Sequence, residues 1–348
     1  MARTVPQETN PSFIRAQAAK QLCVHEYLFY LLRSMIQVDG KFQLTATDLA
    51  NHLGCQHITQ LNRKVALDEL AKPYRNDPAL DVLIQRGRDH EEAYVEFVRK
   101  KGLTIADLRN KSPEATLKAM RDGVDVITQA NLSREGWTGY ADILLKVPGA
   151  SLFGSWSYEV QDTKLSQNTR ASTILQLCLY SDLLAHLQEV EPVKMHVIKP
   201  GTEFPREEFL FTDFSAYYRL IKKNFEHVMS GPPVDTYPEP VQQCDICRWW
   251  KRCDTQRHND DHLSLVAGIR TLHIEELRKQ NIETLEAFAN TEAALIKPDR
   301  GNHETFIRKR SQARIQLTGR VQNKLVSEFL PVEAGRGLQC ALVVGTQC

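Results

Sequence analysis

The chain has 348 residues, with 44 Lys plus Arg against 43 Asp plus Glu and an apolar fraction of 42%. This balance excludes a disordered or collagen-like chain and a polycationic tail, and the length suggests about two domains. No apolar run approaches the roughly 18 residues of a membrane span, and the N-terminus MARTVPQETNPSF lacks the apolar stretch of a signal peptide, so a cytoplasmic protein with no membrane partner is expected. The eight cysteines, in a reducing compartment, point to metal or cluster ligation or to buried thiols rather than to a disulfide framework.

Residues 12–35 have the composition and spacing of a helix. Thr45 or Thr47 is placed to cap a second helix that Gly54 ends. A third begins with Asp77 as N-cap and Pro78 at the first helical position and runs to Gly102; Ser112-Pro113 opens a fourth. Beyond Gly123 the runs VDVITQA, GYADILLKV and SWSYEVQDTK are β-rich and separated by Asn131, Gly136 and Pro148-Gly149, which predicts a hairpin-rich sheet. RASTILQLCLYSDLLAHLQ returns to the helical period, VKMHVIK and EFLFTD read as two more strands, and FSAYYRLIKKNFEHVM as another helix. The prediction is an α/β domain with a mixed sheet flanked by helices. GPPVDTYPEPVQQ, with four prolines in thirteen residues, reads as a linker or extended arm. Helix is expected again from about Asp260.

In the strand SYEVQDTK, side chains alternate between faces, so Asp162 and Lys164 share a side while Thr163 and Glu159 point to the other. Glu159 is therefore expected to be solvated or salt-bridged. Asp142 lies in the otherwise apolar strand GYADILLKV, where a lone carboxylate is out of place unless it binds something. Two carboxylates and an ammonium on adjacent strands suit phosphodiester hydrolysis: the acids hold Mg²⁺ or Mn²⁺, and the lysine positions the nucleophile. The same triplet also fits an edge-strand ion pair. Within RGRDHEE, Gly87 inside a helix implies a close backbone approach, and His90 is a further candidate metal ligand or a satisfied core histidine. Gln176 and Tyr180, four apart on the next helix, share a face, either for packing or for contact with a nucleic-acid backbone.

The ordering Gly87 with His90, Asp142, Asp162-Thr163-Lys164, then Gln176 with Tyr180 resembles the RecB-like branch of the PD-(D/E)XK nuclease superfamily. The resemblance implies a restriction-endonuclease-like core. It makes His90, Asp142 and Asp162 metal ligands, with the carbonyl of Thr163 as a further candidate. Lys164 becomes the catalytic lysine, and Gln176 and Tyr180 support the site.

Cys244, Cys247 and Cys253 form a C-x2-C-x5-C group that needs a fourth ligand. His258 would complete a local zinc site; Cys55, separated from Cys244 by 188 intervening residues, would complete a four-cysteine iron-sulfur site. Cys23 is the rival upstream thiol, Cys178 reads as core, and Cys340 and Cys348 lie in the tail. RecB-like iron-sulfur nucleases, including the CRISPR-adaptation and AddB-type enzymes, carry one cysteine before the nuclease motifs and C-x2-C-x5-C after them. The resemblance thus implies that Cys55, Cys244, Cys247 and Cys253 hold a [4Fe-4S] cluster.

DDHLSLVAGIRTLHIEELRKQNIETLEAFAN reads as short helices broken at Gly268 and Asn281, either a helical packing unit or a helix-hairpin-helix-like module. RKRSQARIQLTGR carries five basic residues and no acid, a solvated face or a phosphate contact. This stretch resembles RecB-like nucleases whose longer members continue into further nuclease- or helicase-like regions. The expected organisation is an N-terminal helical segment (1–40), a nuclease domain closed by the cluster (41–258), a helical region (259–330) and a tail (331–348). The expected activity is metal-dependent cleavage of DNA, single-stranded or end-bearing duplex, in repair, recombination or defence, with a helicase or nuclease domain absent from this chain as a candidate partner. A non-catalytic nucleic-acid-binding module with a local zinc site is the alternative.

Overall fold

The computed structural model describes residues 35–74 and 78–328. The predicted N-terminal helix apart from Met35, with its Cys23, the Asp77 cap, and Cys340 and Cys348 in the tail lie outside them. The chain divides into two compact units. One runs to Tyr237 and takes in Val241–Gln243; the other consists of Pro238–Pro240 and the chain from Cys244 on, so it carries the C-x2-C-x5-C group.

The first unit opens with a hairpin of β1 (Ile36–Val38) and β2 (Lys41–Gln43), followed by α1 (Ala46–Gly54) and α2 (Gln56–Ala66). Thr45 is the cap of α1: its hydroxyl accepts from the Asp48 amide at 3.3 Å, and the Asp48 carboxylate accepts from the Thr45 amide at 3.0 Å. This reciprocal pair satisfies two amides that the first helical turn leaves without partners. Asp48 is only 1% exposed, and burial pushes its carboxyl up to about 6 against the opposing hydrogen bonds. Cys55, in extended backbone, both ends α1 and starts α2.

Next come α3 (Pro78–Lys100), β3 (Ile105–Asp107), α4 (Pro113–Arg121), β4 (Val126–Arg134), β5 (Trp137–Ser151), β6 (Gly154–Thr163), α5 (Ala171–Gln188), β7 (Lys194–Ile198), β8 (Arg206–Leu210) and α6 (Phe211–Ser230). The strands form one six-stranded mixed sheet in the order β3-β4-β5-β6-β7-β8. β4, β5 and β6 are a meander of antiparallel hairpins, while β3 with β4 and β6 with β7 run parallel. Adjacent residues serve opposite faces. Ile127, Leu144 and Val197 join a core with Leu49, Met120, α5 and α6, whereas Val126, Ile143 and Ile198 pack with Tyr94 and Val98 of α3. The sheet is thus flanked by helices on both faces, and α5 is buried nearly all round.

The structure departs from expectation at several points: β4 runs through Asn131 and β5 through Pro148-Gly149, both read as separators, and β3 was not expected. β3 is too short to display an alternation and had no signal of its own. In EFLFTD only the first half is strand: the buried set Phe211, Ser215, Tyr218, Phe225 and Met229 already follows the helical period from Phe211. Helix also resumes before Asp260, because α7 spans Trp250–Asn259.

The second unit contains α7, α8 (Thr271–Arg278), α9 (Leu285–Asn290) and α10 (His303–Gln322). Its own core includes Leu277, Leu285, Phe288, Ile296 and Phe306. No helix among the described residues is long and apolar enough to cross a membrane.

Candidate active site

The two aspartates come from neighbouring antiparallel strands. Ile143 pairs with Gln161 across β5 and β6, which brings Asp142 beside the end of β6, where the Thr163 amide donates to Asp142 Oδ2 at 3.3 Å. Asp162 is 1% exposed. Lys164 Nζ donates to Asp162 Oδ1 at 2.8 Å and lies 2.6 Å from Oδ2, although Oδ2 receives no well-directed hydrogen bond. Burial, then the charges of Asp162 and Glu91, push the Asp142 carboxyl well above the ordinary range. Burial works against the Lys164 ammonium, but Asp162, Asp142 and Glu91 together outweigh it and hold its pKa above the ordinary lysine value. Lys164 is therefore a cation among carboxylates rather than a proton acceptor.

Strand parity holds for Glu159. Tyr158 and Val160 face the α5 side with Asp162, and Glu159 faces the other. It is buried and hydrogen-bonded: its Oε2 lies 2.7 Å from His196 Nε2 and its Oε1 accepts from the Lys194 amide at 3.0 Å.

On α3 the structure separates the neighbours His90 and Glu91. The His90 ring stacks on Phe204, with centroids 5.5 Å apart, and its Nε2 lies 3.4 Å from the Ile198 carbonyl. That carbonyl also accepts from the Lys164 amide at 3.0 Å, so His90 stands at the rim of the site. Glu91 is the carboxylate that feels the site: burial first, then the charges of Asp162 and Glu92, raise its pKa, against a hydrogen bond from Gln129 and the charge of Arg109. The motif reading missed Glu91. The only local signal was its place beside His90 in DHEE. The close approach expected at Gly87 is not found among the described residues: a Cβ there would meet none of their atoms within 4 Å. Its helix-propensity cost of about 1 kcal/mol thus has no packing explanation among them.

From α5, Gln176 Nε2 donates to Asp162 Oδ1 at 3.4 Å. Tyr180, one turn on and 7% exposed, lies over Gly139 of β5 so closely that a Cβ on the glycine would stand 2.4 Å from Tyr180 Cε1. The glycine thus makes room for the tyrosine, a relation that no sequence period displays.

The donors gathered here are hard oxygens from mutually repelling carboxylates, Asp162 buried and Asp142 and Glu91 half-buried, with one Asp162 oxygen lacking a directed donor. That set suits Mg²⁺ or Mn²⁺. Among the described residues, no group of three or more histidine, cysteine, aspartate or glutamate side chains is drawn together in a metal-ligand arrangement.

The second constellation is local to the second unit. The turn Gln242–Ile246 leads into the Cys247 amide donating to the Cys244 carbonyl at 3.2 Å, and the Trp249 amide donates to Cys247 Sγ at 3.3 Å. Cys247 and Cys253 are buried, and neither these nor Cys244 and Cys55 form a disulfide. His258 is five residues from Cys253 on α7, about 140° around the helix. Its exposed ring lies 2.9 Å from the Asp254 carbonyl. Cys178 is buried core, and burial pushes its thiol up to about 12. On α10, Arg310 bonds the Thr291 carbonyl, Arg314 pairs with Glu328 at 3.6 Å and Arg320 with Asp261 at 2.6 Å, so part of the basic run is engaged within the unit. Compared with models of protein families and with curated proteins, the chain matches none.

Proposed function

We propose that this protein is a divalent-cation-dependent nuclease that hydrolyses phosphodiester bonds in DNA on a PD-(D/E)XK-type core. The observation that carries this reading is the pair of carboxylates from adjacent strands, Asp142 and Asp162, with Lys164 bonded to the second of them. Asp142 and Asp162 would hold Mg²⁺ or Mn²⁺, with the Thr163 carbonyl and His90 as further ligands. When bound, the cation would activate water and offset charge developing on the phosphate. Lys164, kept protonated by its acidic neighbours, orients the attacking water and the phosphate oxygen. Gln176 fixes the Asp162 carboxylate, and Tyr180 supports the substrate strand. The substrate class is single-stranded or end-bearing duplex DNA, in repair, recombination or defence in the cytoplasm, with a separate helicase or nuclease domain as partner.

The same proposal gives Cys55, Cys244, Cys247 and Cys253 to a structural [4Fe-4S] cluster. The amide-to-sulfur bond at Cys247 supports it, since such bonds stabilise thiolate ligands. Gln243, just before Cys244, donates to Asn51 at 3.2 Å and lies against Gly54, just before Cys55. Zinc bound by the three local cysteines and His258 would require that exposed ring to leave its place beside Asp254.

The test uses anaerobically purified protein with Mn²⁺ or Mg²⁺ on labelled single-stranded, duplex and forked DNA. Cleavage should stop with EDTA, and Lys164→Ala should lower turnover by about 100-fold or more with folding and DNA binding retained. Metal-loaded, iron-containing protein that is inactive on all three substrates refutes the reading in favour of a binding module.

A further inference from the structure

Gln129 lies in the middle of β4, is 1% exposed, and has φ +53°. A non-glycine residue there occupies the left-handed region, which persists only where the surroundings impose it. The distortion does not correct the strand pairing. Ile127 opposite Leu144 and Thr128 opposite Ile143 keep the same offset as Ala130 opposite Ala141 and Asn131 opposite Tyr140. What changes is the facing of side chains. Ile127, Ala130 and Leu132 all join one core, so the alternation slips by one residue at Gln129. The constant offset also sets Gln129 opposite Asp142. From that position Nε2 donates to Glu91 Oε1 at 2.7 Å, a charge-assisted bond that also decides which way the amide points.

We infer that Gln129 is a positioning residue that holds Glu91 toward the Asp142–Asp162 pair as an additional carboxylate for the divalent cation. The inference rests on the metal-dependent reading above. It explains why a buried strand carries both an amide side chain and a left-handed residue at the position facing Asp142, where a valine or isoleucine in extended backbone would pair as well. The amide leaves the second Glu91 oxygen for a cation, and the backbone distortion aims the amide at α3.

The experiment measures Mn²⁺ affinity by electron paramagnetic resonance and calorimetry, without DNA, for wild type, Gln129→Asn, Glu91→Gln and the double variant. Asparagine tolerates the left-handed region but is one methylene too short to reach Glu91. Each single change should weaken Mn²⁺ binding about tenfold, equivalent to about 1.4 kcal/mol, and the double variant should bind no more weakly than Glu91→Gln alone. If Gln129→Asn loses cooperative unfolding, Gln129→Gly, which adopts φ +53° without strain, takes its place in the same comparison. Losses that add in the double variant, or Mn²⁺ affinity unchanged in both singles, overturn the inference while leaving the metal-dependent reading intact. Wild type that binds no Mn²⁺ overturns both.

Discussion

Replacing Gly139 by alanine should destabilise the protein through its clash with Tyr180. The added Cβ would stand 2.4 Å from Tyr180 Cε1 and 3.2 Å from both Cζ and Oη. Carbon atoms in contact settle at about 3.5–4.0 Å, so the ring must retreat by roughly an ångström, and overpacking of this kind costs about 1–3 kcal/mol. Gly139 is not among the residues with positive φ, so its backbone accepts alanine. Lower chain entropy in the unfolded state then contributes about 0.4–1 kcal/mol in the other direction. The net loss is about 1–2 kcal/mol, or roughly 2–8 °C in Tm. Urea unfolding of wild type, Gly139→Ala, Tyr180→Ala and the double variant checks the assignment. In the Tyr180→Ala background the clash is gone, and the same glycine substitution should stabilise by about 0.4–1 kcal/mol. A change of sign between backgrounds is the expected signature. Gly139→Ala as stable as wild type, or equally costly in both backgrounds, refutes the argument.

Asp162→Asn should abolish cleavage. Glu159→Gln should spare cleavage but lower stability by about 1–3 kcal/mol, since it weakens a buried partner of His196 on the opposite face; equal cleavage losses in the two variants count against the strand parity. With its carboxyl pushed up to about 6 by burial, Asp48 binds its proton more tightly in the folded state. Stability should therefore fall as pH rises from about 4 to about 6, by an amount on the order of 3 kcal/mol. Asp48→Asn, compared with wild type across that window, should remove this slope, and parallel stability curves would contradict the assignment. Cys55→Ser should lose iron and visible absorbance while His258→Ala keeps both. Stoichiometric zinc, no chromophore and an unaffected Cys55→Ser protein would instead establish the local zinc site.

Features that depend on one chain segment were legible in the sequence. A period of two places Asp162 with Lys164 and turns Glu159 away, whatever the sheet is packed against. Thr45 caps α1 because a hydroxyl three residues before Asp48 needs no distant partner. A single carboxylate in the apolar run around Asp142 is conspicuous because burial of an unpaired charge is costly. The boundary between β8 and α6 was misread because Phe211 suits the end of a strand and the start of a helix equally well by type. Only its burial in the helical set decides the matter.

Other features required the assembled sheet. His90 and Glu91 are about 100° apart on their helix, and which of them meets the aspartates depends on how α3 docks, a long-range event that neither residue encodes. Gly87, Gly139 and Gln129 make the same point from three sides. By type, a glycine in a helix predicts a close neighbour, a glycine in a strand predicts weakness, and a glutamine in a strand predicts extended backbone. In the fold, Gly87 has no close neighbour among the described residues, Gly139 lies under the Tyr180 ring, and Gln129 takes a left-handed conformation opposite Asp142. Residue type and spacing determine which conformations and chemistries a position permits. The tertiary structure selects among them because burial, like-charge repulsion and steric contact exist only once distant segments share the same space.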